Sequence, residues 1–173
     1  MDQNGSDRQE LWAGKFLTVK KTGRWEYVSR TTNRPVVAIV AIDKQDHLIL
    51  VEQFRPPINS NVIELPAGLA GDIEGAEDEA LLDAAKRELE EETGYTTNHW
   101  RRVTNGLSSA GLTDESTEVF AATEVVQTSS GGGVAGENIT LHRVPMDGLL
   151  RWLTQRRLPY DLKLLGAVYA ATA

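Results

Sequence analysis

The most informative segment of this 173-residue chain is Arg87-Glu88-Leu89-Glu90-Glu91-Glu92-Thr93-Gly94-Tyr95. Apolar residues upstream of it recur at helical spacing, and Gly94 is a C-terminal stop signal. The pattern therefore predicts a helix over residues 78–92 that ends in a cluster of glutamates.

Three of these glutamates, Glu88, Glu91 and Glu92, stand at positions i, i+3 and i+4 of the predicted helix. Their carboxylates share one side of its final turn, where they repel one another and meet the negative end of the helix dipole. A bound cation removes both penalties, and carboxylate oxygens suit Mg²⁺ or Mn²⁺. The alternative is an acidic helix face that is simply solvated.

The spacing argues against the solvated face. A segment of the form Arg-Glu-apolar-any-Glu-Glu-any-Gly-apolar arises by chance in a chain of this length with a probability on the order of 10⁻⁵ at average residue usage. It resembles the core of the Nudix box, the metal-binding motif of the Nudix hydrolases. By this resemblance Glu88 and Glu92 are the main metal ligands, Glu91 is a further ligand or positions the attacking water, and Arg87 fixes a neighbouring glutamate.

The motif departs from the family in one place, because Ile73 stands where the Nudix box has its first glycine. Gly68 is the nearest equivalent, which implies an insertion of five residues within residues 69–78. The departure concerns the loop before the helix and leaves the metal-binding helix intact.

Around this helix the chain shows short apolar and β-branched runs, and residues 36–42 form a continuous run that is typical of a strand buried on both faces. The predicted strands are residues 16–20, 25–31, 36–42, 47–54, 61–65, 100–103, 118–126 and 139–144, and closing helices are predicted at residues 146–156 and 161–171. We predict an α/β protein with the Nudix fold, a mixed sheet between helices (α/β/α) with N-terminal antiparallel strands. Residues 1–10 are expected to be a flexible terminus and residues 11–173 a single domain.

Three further segments resemble successive motifs of the ADP-ribose pyrophosphatases and related nucleotide-sugar hydrolases. They are WEYVSRTT at residues 25–32, VEQFRPP at 51–57 and IELPAGL at 63–69. With the Nudix box, the resemblance covers residues 15–144. It implies that Mg²⁺, with Mn²⁺ as an alternative, is also bound by the backbone carbonyl of Ala67.

The same resemblance assigns substrate-binding roles to four side chains. Trp25 stacks on the nucleobase and Glu26 accepts a hydrogen bond from it, since aromatic faces accept any base. Arg30 and Arg55 engage phosphates or the terminal ribose, because guanidinium groups match phosphate oxygens. Ordinary strand packing, solvation or a structural ion pair remains the alternative for each of these residues.

A catalytic base is expected from a late loop. Glu137 directly follows the glycine-rich segment 127–136 and resembles the position of that base, with Glu115 and Glu118 as alternatives. A loop can bring a carboxylate to the water and exclude bulk solvent. The resemblance also implies a homodimer in which Trp25 of one chain helps to form its neighbour's base pocket.

The sequence indicates the class of the substrate but leaves the identity of its sugar open. Ala110 stands where ADP-ribose enzymes commonly have a proline, so the contact with the terminal sugar differs. We expect hydrolysis of the pyrophosphate bond of ADP-ribose or a related nucleoside diphosphate sugar, giving a nucleoside monophosphate and a sugar phosphate. The alternatives are a catalytically silent module that binds a nucleotide sugar and, less in keeping with the charge, an RNA-cap hydrolase.

The composition restricts the classes of ligand and the cellular compartment that we expect for this protein. The formal net charge of -7 disfavours nucleic-acid binding, which depends on clustered cations. The chain has no cysteine, which excludes thiolate sites and fits a reducing compartment. We see no apolar run long enough to cross a membrane and no signal peptide, so we expect a cytoplasmic protein that acts on a small nucleotide sugar.

Overall fold

The protein is represented by a computed structural model that describes residues 7–32, 34–73, 75–133 and 138–173. Its elements follow one another as strands β1 Arg8–Ala13, β2 Leu17–Thr22, β3 Trp25–Arg30, β4 Val36–Asp43, β5 His47–Arg55, β6 Ser60–Glu64 and β7 Ala67–Leu69, helix α1 Leu81–Thr93, strands β8 Tyr95–Thr96, β9 His99–Leu107, β10 Ser116–Gln127 and β11 Thr140–Pro145, and helices α2 Leu149–Gln155 and α3 Leu162–Thr172.

The main sheet has the order β11-β5-β4-β10-β8, and β6, β7 and β9 pair with β5, β4 and β10 respectively. Only β4 and β10 are parallel among these pairs, from Val36 opposite Thr117 to Asp43 opposite Val125. The sheet is therefore mixed, as predicted. Strand β4 lies at its centre, which explains the unbroken apolar run of residues 36–42.

Both faces of the main sheet are covered by helices. On one face α1 packs through Ala85 and Leu89 against Ile39 and Ile49. On the other face α2 and α3 pack through Leu153 and Leu164 against the apolar side chains that the central strands direct to that face. The predicted α/β/α sandwich is confirmed, and the N-terminal strands β1, β2 and β3 form a separate antiparallel sheet, also as predicted.

The N-terminal sheet begins earlier than expected. Strand β1 starts at Arg8, within the stretch predicted to be flexible, and pairs with β2 from Arg8 opposite Thr22 to Ala13 opposite Thr18. Sequence periodicity missed this strand because all six of its residues are exposed, so no apolar face marks it. The single domain over residues 11–173 stays a prediction.

Three contacts join this sheet to the loop before β10. The backbone N–H of Val28 donates to the Leu112 carbonyl at 2.9 Å, and the Ser29 hydroxyl donates to Asp114 at 2.6 Å. Arg30 forms an ion pair with Glu115 at 2.6 Å. These contacts bring the end of β3 to the edge of the main sheet, where the functional residues collect.

Helix α1 begins at Leu81 rather than at the predicted residue 78, with Ala80 as an N-cap that makes no side-chain hydrogen bond. The short strand β7 was also missed, because residues 67–69 are too few to show a period of two. None of the helices in the described part of the chain has the length and apolar character that crossing a lipid bilayer requires.

Candidate active site

The C-terminal end of α1 positions the acidic cluster. Gly94 has the left-handed φ of 72° and its N–H donates to the Glu90 carbonyl at 2.8 Å, so the helix ends there. The N–H groups of Gly132 and Gly133 then bind the last carbonyls, those of Glu92 and Glu91, both at 2.9 Å. The start of the glycine-rich loop thus lies directly on the end of the helix.

Arg87 organises the acidic side chains around one guanidinium. Its nitrogens donate to five acceptors: Glu79 at 3.0 Å, Glu88 at 2.9 Å, Glu91 at 3.0 Å, Asp72 at 2.9 Å and the Leu69 carbonyl at 3.1 Å. The planar fork of arginine has donors enough for this arrangement. The role predicted for Arg87, fixing a neighbouring glutamate, agrees with this geometry.

The pKa values of two carboxyl groups around Arg87 are shifted in opposite directions. The hydrogen bond from Arg87 holds the pKa of Glu79 below its usual value. Burial raises the pKa of Glu88 to about 7, although the charge of Arg87 opposes the shift. Glu88 is only 7% exposed, so a further cation beside it favours the ionised form.

Strand β7 lies along the acidic side of the helix end. The N–H of Ala67 donates to a carboxylate oxygen of Glu92 at 3.0 Å. A Cβ atom added to Gly68 would overlap the carboxyl group of Glu88. Glycine is therefore required here by the close approach of Glu88, in keeping with the interpretation of Gly68 as the equivalent of the first glycine of the Nudix box.

A cleft of about 450 Å³ opens beside these residues. Five of the residues predicted for the site line it: Arg30, Arg55, Ala67, Glu88 and Glu92. We call it the active-site cleft. Because these residues come from β3, β5, β7 and α1, they are distant along the chain and only the fold brings them together.

Two acidic residues that orient the arginines were not predicted in this role. Arg55 forms an ion pair with Glu64 at 2.7 Å, and Arg30 is held by Glu115, which also accepts from the Ser108 hydroxyl at 2.9 Å. Glu64 lies inside the motif of residues 63–69, so that motif was the available signal. No local pattern marks the pairing of Arg30 with Glu115, which are far apart in the sequence.

Comparison with known proteins gives the family. The NUDIX domain model matches residues 32–163. The chain belongs to the Nudix family. It is 32% identical over 133 residues to the methanol dehydrogenase activator of Bacillus methanolicus and 34% identical over 133 residues to the ADP-ribose pyrophosphatase of Bacillus subtilis, in each case over 76% of this chain and 69% of the other.

The fold of this Nudix hydrolase matches that of a solved structure titled as an ADP compounds hydrolase. The TM-score is 0.68 at 24% sequence identity, over 86% of this chain and 81% of the other. This likeness bears on the fold alone. It agrees with the mixed sheet between helices.

Nudix hydrolases use divalent metal ions, and the donors on the active-site cleft suit such an ion. Glu88, Glu92 and the backbone of Ala67 offer hard oxygen ligands at one wall of the cleft. In the described residues no three acidic or histidine side chains are grouped to hold a metal ion as they stand. Glu91 does not line the cleft, and its carboxylate is bound by Arg87.

Trp25 and Glu26 do not line the active-site cleft of their own chain. They are neighbours at the start of β3, where Trp25 pairs with Thr22 and Glu26 with Lys21. Successive side chains of a strand point to opposite faces, and Trp25 is 59% exposed. A role for these two residues in substrate binding therefore needs a second surface, which a partner chain can supply.

The candidate base Glu137 lies outside the described residues. Of its two alternatives, Glu115 lines the active-site cleft and is bound to Arg30. Glu118 is buried and bound to Arg102 and Asn105, and it does not line that cleft.

The substitution Arg87→Lys is expected to lower the free energy of unfolding by about 2 kcal/mol, because an ammonium group cannot replace the fork and leaves partly buried carboxylates without donors. Urea unfolding followed by circular dichroism measures the change. Arg151→Lys is the matched control, since Arg151 is exposed on α2. Equal stability of the two variants would contradict the organising role of Arg87.

Proposed function

We propose that the protein hydrolyses the pyrophosphate bond of ADP-ribose or a related nucleoside diphosphate sugar, releasing a nucleoside monophosphate and a sugar phosphate. The observation that supports this most strongly is the composition of the active-site cleft, where Glu88 and Glu92 face the same space as Arg30 and Arg55. Carboxylates suited to a metal and guanidinium groups suited to phosphate oxygens are the two requirements of pyrophosphate hydrolysis.

In this proposal Mg²⁺, or Mn²⁺ in its place, is held by Glu88, Glu92, the carbonyl of Ala67 and, after release from Arg87, Glu91. Bound by these residues, the ion would offset the negative charge of the pyrophosphate oxygens and lower the pKa of the attacking water. Because water is the attacking nucleophile, the proposed reaction needs no cysteine or serine nucleophile. The choice of Mg²⁺, with Mn²⁺ as its alternative, is part of the proposal.

Arg30 and Arg55 are proposed to bind the phosphates or the terminal ribose. Each guanidinium is held by a carboxylate, Glu115 and Glu64 respectively, and each lines the cleft. Holding the side chains before substrate arrives lowers the entropy that binding would otherwise cost. The substrate then competes with the carboxylates for the outer N–H groups.

Proton removal from the attacking water is assigned to Glu137. Its support is the sequence resemblance together with the attachment of Gly132 and Gly133 to the end of α1, which brings the start of this loop to the acidic cluster. Glu91 and Arg87 complete the proposed catalytic set. We do not propose Glu118, since Arg102 and Asn105 already bind it on another surface.

A homodimer is proposed to complete the base pocket with Trp25 and Glu26 of the partner chain. The N-terminal sheet and its flanking residues expose an unusual number of large apolar side chains, each at least 43% exposed: Leu11, Trp12, Phe16, Leu17 and Trp25. Clustered exposed aromatic residues of this kind are typical of protein interfaces.

This arrangement predicts complementation between two inactive chains. Trp25→Ala and Glu92→Gln chains, carrying different tags and purified as the mixed dimer, are expected to regain up to about half of the wild-type activity per dimer, because one site then combines an intact Glu92 with the partner's intact Trp25. Each homodimer measured alone is the control. No recovery in the mixed dimer would place Trp25 in its own chain's site or remove it from the site.

The experiment that tests the function is release of monophosphate from a panel of ADP-ribose, other nucleoside diphosphate sugars, dinucleotides and capped RNA, with magnesium and with chelator. Metal-dependent cleavage of one sugar nucleotide is the expected result, and the panel identifies the sugar whose contact Ala110 alters. Retained binding without turnover would favour the silent binding module instead. Cleavage of capped RNA alone would overturn the proposal of a small-molecule substrate. The cytoplasmic location expected from the sequence is likewise a proposal.

A further inference from the structure

A second cleft of about 300 Å³ adjoins the active-site cleft and shares Arg30 and Glu115 with it. We call it the side cleft. It lies between the N-terminal sheet and the start of β4 and β10, and its remaining lining residues are Lys20, Ser29, Thr32, Arg34, Pro35, Asp114 and Ser116. The side cleft is not needed to bind the diphosphate or the metal of the proposed function.

The two clefts differ in charge. The active-site cleft is lined by three cationic side chains and six carboxylates, whereas the side cleft has three cationic side chains and two carboxylates. The chain as a whole carries a net charge of -7. A locally cationic cleft in so acidic a protein attracts an anion, and it does so beside a site that repels one until metal is bound.

Two of these cations stand without an ion pair. Lys20 and Arg34 are half-buried, and among the described residues neither has a carboxylate partner within ion-pair distance. Arg34 acts only through space on the exposed Glu77. The carboxylates of the side cleft are already engaged, since Asp114 accepts from Ser29 and Glu115 from Arg30. Two cations that lie partly out of water with no carboxylate partner among the described residues are available to an anionic ligand.

We propose that the side cleft binds a phosphate monoester group, and that the preferred substrate carries such a group beyond its diphosphate. A phosphate monoester has close to two negative charges at neutral pH and several acceptor oxygens, which match an ammonium, a guanidinium and the hydroxyls of Thr32 and Ser116. The volume lies at the lower limit for ligand pockets, so it suits one small group rather than a second nucleotide. This inference rests on the proposed function only for the link to substrate.

The first test uses inorganic phosphate as the probe, with no metal and no nucleotide present. Titration followed by calorimetry is expected to show one site in the wild-type protein, weakened about tenfold or more in Lys20→Met and in Arg34→Met, because each removes one charged hydrogen-bond donor. Lys44→Met is the matched control, since Lys44 makes only an exposed ion pair with Glu124 at 3.8 Å. Equal phosphate binding in all four proteins, or none in the wild type, overturns the proposal.

The second test compares ADP-ribose with an ADP-ribose that bears a further phosphate monoester on a ribose hydroxyl. The wild type is expected to favour the phosphorylated compound by about tenfold in kcat/KM, and the two variants to lose that preference while their rates with ADP-ribose change little. Phosphate binding without the preference assigns the side cleft to a free phosphate or monophosphate. Since the first test involves no turnover, failure of the proposed function does not affect it.

Folding of the variants is checked by thermal unfolding. Because Lys20 and Arg34 have no carboxylate partner among the described residues, their replacement is expected to leave Tm unchanged or to raise it slightly in phosphate-free buffer, as repulsion with Arg30 is relieved. Addition of phosphate should raise the Tm of the wild type and of Lys44→Met, and raise the Tm of Lys20→Met and Arg34→Met less. A large loss of Tm in phosphate-free buffer would assign both cations a purely structural role and overturn the proposal.

Discussion

Substitution of Glu92 by glutamine is expected to lower kcat by about 10³-fold with little change in stability. Glu92 is buried, lines the active-site cleft and accepts the N–H of Ala67 at 3.0 Å. A glutamine oxygen can accept the same hydrogen bond, so the local structure is retained. The negative charge that a metal ligand supplies is lost.

Monophosphate release at saturating magnesium measures this effect, and urea unfolding confirms that the variant is folded. Glu90→Gln is the matched control, because Glu90 lies two residues away on the exposed side of the same helix. We expect the control to keep full activity. Activity within tenfold of wild type in Glu92→Gln would remove Glu92 from the metal site.

Substitution of Gly68 by alanine is expected to lower kcat by about 100-fold, since displacements near 1 Å at a reacting centre have effects of that size. The added methyl group would overlap the carboxyl group of Glu88, which is the end of a side chain rather than backbone. The protein can therefore fold with Glu88 turned aside. The loss of activity should come with weaker magnesium binding, so that turnover requires a higher magnesium concentration than in the wild type.

Gly166→Ala is the control for this substitution. Gly166 lies on the exposed side of α3, where an added Cβ meets no atom within 4 Å, and alanine there is expected to stabilise the helix by about 0.5–1 kcal/mol. Magnesium dependence of turnover is measured for both variants. If Gly68→Ala retains the wild-type rate and magnesium dependence, then Glu88 is not held against β7 during catalysis.

Much of the fold was predictable because it depends on local patterns. The run of residues 36–42 corresponds to the central strand β4, and the glycine stop at Gly94 corresponds to the end of α1. Failures occurred where the pattern was short or absent: β7 has three residues, and β1 is exposed along its whole length. Neither presents the alternation of buried and exposed positions from which strands are inferred.

The candidate site divides in the same way. Glu88, Glu91 and Glu92 could be grouped from their spacing, because one helix turn determines their relation, and Arg87 was named from the resemblance to the Nudix box. Glu64 and Glu115 could not be assigned as partners of the arginines, since strand pairing and the loop before β10 bring each pair together across the chain.

By itself, the sequence determined the family, through the resemblance of residues 87–95 to the Nudix box, and the helix that carries the glutamates, through the period of its apolar residues. Only the tertiary structure decided that Glu88 and Glu92 face the active-site cleft whereas Glu91 does not. It also placed Lys20 and Arg34 together at the side cleft. Direction and pairing depend on which elements pack together, and that is fixed by burial of the two faces of the sheet rather than by any local pattern.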